Sequence, residues 1–281
     1  MLKSLLFSFI LLLGVVLSQS QTKPDYHIYA IKYADGGHAP ISLFASGGPQ
    51  KDSIDLYFMT WLITGNNGKK ILVDAGMTRD LDWTSKLPWF TSPDSPLAEM
   101  NIKPDEITDI ILTHPHADHI NGIRLFPKAH IWIQKEDYGY FVGLAWQNGG
   151  QNFGFEKKDV NYLVNLNMEG KVTLVDGDNK QLFPGITVYT GSRHTYNSQY
   201  VLVESGSDKV IIASDNIWIY YNLDHLTSSP YMAGTFDTLG YVQSMKRMKT
   251  LATDIRYIIP GHDSDIFKRF PLIRPDVVQI R

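Results

Sequence analysis

Two pairs of β-rich apolar runs organise the chain. The first covers residues 57–64 and 69–73, joined through Gly65-Asn66-Asn67-Gly68, residue types that accept the positive φ of a tight turn, so a β-hairpin is predicted. The second covers 200–204 and 210–213 and turns at Gly206-Ser207-Asp208. Each return strand runs on to an aspartate, Asp74 in the first copy and Asp215 in the second. After each comes a stretch with helical pattern, then a β-rich run that stops at a histidine: 107–113 before His114, and 256–259 before Pro260-Gly261-His262. One plan is repeated twice, and it brings the carboxyl ends of several strands to one edge of a sandwich, where polar side chains can converge. The helix of the second copy is predicted over 235–252, with Phe236, Leu239, Val242, Met245, Met248 and Leu251 as its core face.

Two aromatic-rich segments belong to neither copy. Residues 77–100 carry Trp83, Trp89 and Phe90 among prolines, and residues 134–165 carry Tyr138, Tyr140, Phe141, Trp146, Phe153 and Phe155 among glycines and asparagines. Insertions of this kind serve as lids and pocket walls, or as covering flaps and contacts in a homodimer. At the other extreme of the chain, Lys3 precedes an apolar run over 5–17 and small and polar residues up to Ser20, the layout of a secretory signal peptide cleaved after Ser20. The run is shorter than the roughly 20 residues of a membrane span. Residues 21–281 are therefore expected as one periplasmic or secreted domain, off the membrane once the signal is removed. The chain has no cysteine, which removes disulfides, thiolate ligands and a cysteine nucleophile. A formal net charge of −3 and the lack of a long basic cluster exclude a nucleic-acid partner, and the expected partner is a small molecule.

The chemistry concentrates at Thr113-His114-Pro115-His116-Ala117-Asp118-His119, three imidazoles and a carboxylate directly after an apolar strand. Imidazole and carboxylate without thiolate suit Zn²⁺ or a similar divalent ion in an open, catalytic site. Histidines two apart on extended chain point the same way, so His114 and His116 can share one ion, while Asp118 and His119 at the following turn reach a second. The missing ligands are expected from His194, after the strand 186–190, from Asp215 and from His262, all at strand ends. An aspartate between two cations can bridge them, and two cations bring the pKa of a shared water toward neutrality. Asp74 is expected in a supporting role, holding a ligand rather than an ion.

His-Pro-His-Ala-Asp-His, followed in order by His194, Asp215 and Pro-Gly-His262, resembles the metallo-β-lactamase superfamily, and the likeness extends from about residue 29 to 270. It implies an αββα four-layer sandwich in which His114, His116 and His194 hold one zinc, Asp118, His119 and His262 hold the other, and Asp215 bridges. A bridging aspartate at that place is a feature of lactonases, glyoxalase II enzymes and phosphodiesterases rather than of true β-lactamases. Within the superfamily the chain looks most like N-acyl-homoserine-lactone lactonases, which share a similar hairpin before Val73-Asp74-Ala75-Gly76. The implied activity is opening of lactones or related carboxylic esters, with Asp118 and Asp215 as catalytic groups; the alternatives are a β-lactam, thioester or phosphodiester hydrolase, or a non-enzymatic metal binder. Two departures matter. The family's His-Thr-Pro-Gly is here His194-Thr195-Tyr196-Asn197, which implies a reshaped loop. The family's substrate-binding tyrosine is replaced by Trp218, leaving Trp218, Tyr220 and Tyr221 as the candidate substrate contacts.

Overall fold

The structure is a computed structural model that describes residues 24–66, 68–231 and 234–281. The expected signal segment, residues 1–20, lies outside the described residues. Two long strands, β1 (Tyr26–Pro40) and β2 (Ser53–Gly65), pair antiparallel, with register shifts between Lys32 and Ala34 and between Asp35 and Gly37. The predicted hairpin follows: β2 returns as β3 (Lys70–Val73), and Gly68 in the turn sits at φ +79°, where a side chain would be strained. The pair β1 and β2 also binds the short β4 (Trp89–Phe90) through β1. Parallel strands β5 (Asp109–Ile111), β6 (His130–Gln134) and β7 (Val172–Val175) extend the sheet beyond β3.

The second sheet runs β12-β11-β10-β9-β8, where β8 is Lys180–Phe183, β9 Ile186–Thr190, β10 Gln199–Ser205, β11 Asp208–Ser214 and β12 Ile258–Pro260. β10 and β11 form the second predicted hairpin, and β11 pairs parallel with β12 just as β3 does with β5. The chain closes with β13 (Leu272–Arg274) and β14 (Val277–Gln279), which return to β1 on the first sheet.

Side chains of the first sheet alternate between two apolar layers. Trp61, Ile63, Ile71, Val73 and Ile111 face the second sheet and share a core with Val188, Val201, Val203 and Ile212. Leu62, Leu72, Ile110 and Leu112 point the opposite way and meet Leu97 of α1 (Asp94–Glu99), Phe141 of α3 (Lys135–Val142) and Leu163 of α4 (Lys157–Met168). The first sheet is therefore buried on both faces, as parallel strands require. On the far side of the second sheet lies α6 (Thr238–Leu251), whose Tyr241, Met245 and Met248 join its core. The layers read αββα, as the resemblance implies. The remaining helices are short: α2 (Ala117–Ile120), α5 (Tyr220–His225) and α7 (Ile266–Arg269). Among the described residues no helix is long and apolar enough to cross a membrane.

The face of α6 differs from the expected one. Asp237 caps the helix by accepting the Gly240 N–H at 2.8 Å, so it begins three residues later than predicted. Leu239 falls in the first turn and is 76% exposed, and Tyr241 takes the core position instead. Thr235 and Phe236, expected inside the helix, lie on its approach, where the Thr235 hydroxyl donates to the Ser192 carbonyl at 2.7 Å. Met248→Ala should therefore cost about 2–5 kcal/mol, and Leu239→Ala less than about 0.5 kcal/mol, by urea denaturation. Similar losses for both would place the buried face of α6 elsewhere.

Candidate metal centre

The edge where β3, β5, β9, β11 and β12 end carries all seven predicted ligands. His114 follows β5, Asp118 and His119 stand on α2, Asp215 directly follows β11, and His262 follows β12. His114, His119, His194, Asp215 and His262 are buried, and Asp118 keeps some exposure. The donor atoms fall into two groups. In the first, His116 Nδ1 lies 3.1 Å from His114 Nε2 and 2.9 Å from His194 Nε2, and Asp215 Oδ2 is 3.3 Å from His194 Nε2. In the second, His119 Nε2 is 3.2 Å from Asp118 Oδ2, and His262 Nε2 is 3.1 Å from Asp215 Oδ1 and 3.7 Å from Asp118 Oδ2. Asp215 Oδ1 faces the second group, while Oδ2 lies between the two, 3.3 Å from His194 Nε2 and 3.2 Å from His262 Nε2.

The outer side of each ring decides what its inner side offers. His194 Nδ1 meets the Gly234 carbonyl at 2.8 Å and His262 Nδ1 the Tyr57 carbonyl at 2.9 Å. A carbonyl only accepts, so Nδ1 carries the proton and Nε2 turns an electron pair inward. His119 Nδ1 is placed likewise against Asp74 Oδ2 at 2.8 Å. In a buried pocket, imidazole electron pairs then face carboxylate oxygens at little over 3 Å, which only a proton or a cation can stabilise. The charge balance agrees. Burial pulls the His119 imidazole down, but Asp118, Asp215 and Asp74 outweigh it and hold its pKa well above the ordinary value; His262 is raised for similar reasons by Asp215 and Asp118. Burial and the neighbouring His194 bring His116 down to about 3, so its ring is neutral. His119 Nε2 and Asp215 Oδ1 are buried with no hydrogen-bond partner among the described residues. The donor set, imidazole and carboxylate without thiolate, fits divalent cations of the zinc type, and His114, His116 and His194, and separately Asp118, His119 and His262, are groups that could hold one.

The donors are gripped from behind. Asp74 accepts from the Thr113 N–H and hydroxyl, each at 2.8 Å, and from the Ser214 hydroxyl at 2.9 Å, which leaves its carboxylate to orient His119 and both flanking strands. Asp74, Arg193 and Ser214 all have positive φ, at 59°, 53° and 48°, backbone strain that collects where ligands are aimed. Gly261 has to be glycine because a Cβ there would stand 2.5 Å from Asp215 Oδ1. Above the donors opens a cavity of about 410 Å³ walled by Trp83, Phe153, Phe155 and Trp218. Both aromatic insertions therefore contribute pocket walls.

Residues 59–262 match the Metallo-beta-lactamase superfamily. The chain belongs to this superfamily. N-acyl homoserine lactonase AttM of Azorhizobium caulinodans, a relative, is 24% identical over 226 residues, which cover 74% of this chain and 79% of the relative. A solved quorum-quenching N-acyl homoserine lactone lactonase superposes with a TM-score of 0.70 at 21% identity, covering 92% of this chain and 99% of its own. AidC, a dizinc quorum-quenching lactonase solved with a product, gives 0.64 at 20% identity over 91% of each chain. At such identities the structural likeness establishes the fold. As a member of the metallo-beta-lactamase superfamily with its donors assembled on one edge, the protein is a metal-dependent hydrolase.

Of the three aromatic residues expected to touch substrate, only Trp218 lines the cavity. Its ring stacks on Phe44 at 5.3 Å and tilts against His262 at 5.2 Å. Tyr220 is instead 3% exposed, with the Arg269 guanidinium 3.5 Å above its ring, and Tyr221 stacks on His225 at 4.0 Å. Neither lines the cavity, because the helical twist of α5 points them elsewhere. Several supports escaped the sequence reading. The buried Tyr33 hydroxyl donates to the Asp118 carbonyl at 2.6 Å. Asn216 Oδ1 accepts from Ser192 N at 2.8 Å and Ser198 Oγ at 2.9 Å, fastening the His194 loop to β11.

At Tyr196-Asn197, where the resemblance leads one to expect Pro-Gly, the loop is held by a carboxylate. Buried Asp137 of α3 accepts from the Thr195 hydroxyl at 2.6 Å and the Asn197 N–H at 3.1 Å. Burial, only partly offset by those hydrogen bonds, raises its pKa to about 6. The folded state thus keeps this proton longer than the unfolded chain, so Asp137 makes stability fall as pH rises from about 4 to about 6, and nothing further is lost above that. In urea titrations from pH 4 to pH 7, the stability of wild type relative to Asp137→Asn should fall by up to about 3 kcal/mol across this window. Parallel curves would mean that the carboxyl ionises as freely in the fold as in the unfolded chain.

Proposed function

We propose that the protein is a dizinc hydrolase that opens lactones or closely related carboxylic esters. The observation that carries this reading is the placement of Asp215, whose carboxylate stands between the two imidazole groups and reaches His194 of one and His262 of the other, beneath an aromatic cavity. The chemistry two divalent cations would supply there is a water acidic enough to attack near neutral pH and an electrophilic pull on the substrate carbonyl. His114, His116 and His194 would hold one ion, Asp118, His119 and His262 the other, and Asp215 would bridge. Asp118 lines the cavity and is placed to orient the attacking water and to hand a proton to the leaving alkoxide. Trp83, Phe153, Phe155 and Trp218 pack against the substrate body and keep bulk water out.

Among the described residues no lysine or arginine lines this cavity, so an anionic phosphodiester would find no side-chain cation there, whereas a neutral ester needs none. The AttM relative and the structural neighbour AidC, both named as lactonases, support the same reading. Export also forms part of it: residues 1–20 have signal-peptide layout, and the product released from cells is expected to begin near Gln21 by N-terminal sequencing. A soluble intracellular product that retains Met1 would remove that element.

Elemental analysis of the purified protein should find about two divalent ions per chain, since seven donors exceed what one tetrahedral zinc can use. Asp215→Ala should bind ions more weakly and lose more activity than the ~10–100-fold typical of an outer hydrogen-bond partner, with an unchanged circular dichroism spectrum. Wild type should open acyl lactones faster than it hydrolyses nitrocefin, a thioester or bis-nitrophenyl phosphate. Full activity in Asp215→Ala would show that the ion cage is misassigned, and efficient nitrocefin cleavage without lactone opening would replace the substrate class.

A further inference from the structure

Beside the cavity above the donors lies a second one, of about 240 Å³, and the two share His116, His194, Phe153 and Phe155 as walls. Phe153, 80% exposed although it is a large apolar residue, stands where the two meet. The second cavity is held to the ion site by main-chain contacts: the Ala117 N–H donates to the Gly154 carbonyl at 2.8 Å, and a Cβ on Gly154 would lie 2.8 Å from the His116 ring. Among the described residues its lining includes no lysine, arginine, aspartate or glutamate. Two tyrosines from distant segments are part of its lining. Tyr140 of α3 and Tyr196 of the His194 loop stack face to face, with ring centres 4.6 Å apart and 7° between planes.

We propose that this side chamber receives one uncharged limb of the substrate and that the Tyr140–Tyr196 stack is the wall that limits its length. The proposal rests on the ester-hydrolase reading for the identity of the limb as part of a substrate. A charged limb has no partner here and would be desolvated without compensation. At ~30 Å³ per water-sized group, the chamber admits on the order of eight non-hydrogen atoms beyond the reacting carbonyl. A longer limb meets the stacked rings and has to separate them, which forfeits their contact with each other. Tyr196 is the residue to change. Its ring meets Tyr140 and the Arg193 guanidinium and is 39% exposed, whereas the Tyr140 hydroxyl also accepts the Gln151 N–H at 2.8 Å and so supports the loop.

The test is calorimetric titration of the ion-loaded protein with a homologous series of unreactive straight-chain alkanamides, followed by turnover of lactones bearing the same limbs. In wild type, affinity should rise by up to about fourfold per methylene and stop rising near eight atoms. In Tyr196→Ala the rise should continue to longer limbs, improving the ratio of long-limb to short-limb affinity about tenfold. Tyr196→Phe keeps the stack and should keep the wild-type limit, and Tyr140→Leu should open the wall from the other side. A limb ending in a carboxylate should bind worse than its neutral counterpart. An identical length limit in wild type, Tyr196→Ala and Tyr140→Leu would overturn the assignment of the wall, and equal affinity for charged and neutral limbs would overturn that of the chamber. A length limit in binding without turnover of any lactone would leave the chamber and its wall standing and remove the ester reading alone.

Discussion

Electron pairs turned toward one another in a buried space set the terms for this structure. His194, His262 and His119 spend their outer nitrogen on a carbonyl or carboxylate, so each inner nitrogen meets the oxygens of Asp118 or Asp215 with no proton of its own to offer. Left alone, such an arrangement would separate or draw in protons. That it is held at about 3 Å reflects how firmly each ring is fixed from outside, and the same fixing prepares the pocket for cations without reorganisation when they arrive.

The fold supplies that fixing by placing strand ends where the rings must stand. The first sheet is apolar on both faces, and the second is packed between it and α6, so strands on either side of the site cannot shift without disturbing a core. Asp74 links the copies: it binds Thr113 beside His114 in the first and Ser214 beside Asp215 in the second, while orienting His119 between them. Its positive φ, like those of Arg193 and Ser214, is a local cost carried by this surrounding network.

The cage was readable because chain order and spatial order coincide there. Four donors fall within six residues after one strand, and His194, Asp215 and His262 each stand shortly after another, so the repeated hairpin plan predicts their meeting. The fifteen-residue β1 was not legible, since its two register shifts and the Gly36-Gly37 pair interrupt any periodic pattern. Nor was the α6 face, where the Asp237 cap moves the start of the helix and turns Leu239 outward. The cavity walls were legible only in part: proximity in sequence suggested Tyr220 and Tyr221, but the turn of α5 aims one at Arg269 and the other at His225. Asp137 and Tyr33 act across separations of 58 and 85 residues, and nothing near them in the chain announces their partners.

The junction between Ala117 and Gly154 joins the ion loop to the segment that walls the substrate space, and both of its hydrogen-bonding atoms belong to the main chain. Gly154 must stay small to clear His116, and Phe155 packs on the His116 ring, but Asn152 and Phe153 contribute no side-chain atom to that junction. Their identities can drift in evolution, or be randomised in a library, with the hydrolytic machinery left in register. The architecture thereby separates what the enzyme does to a bond from which molecules it accepts, and a short stretch of one insertion becomes the natural unit on which new preferences are selected.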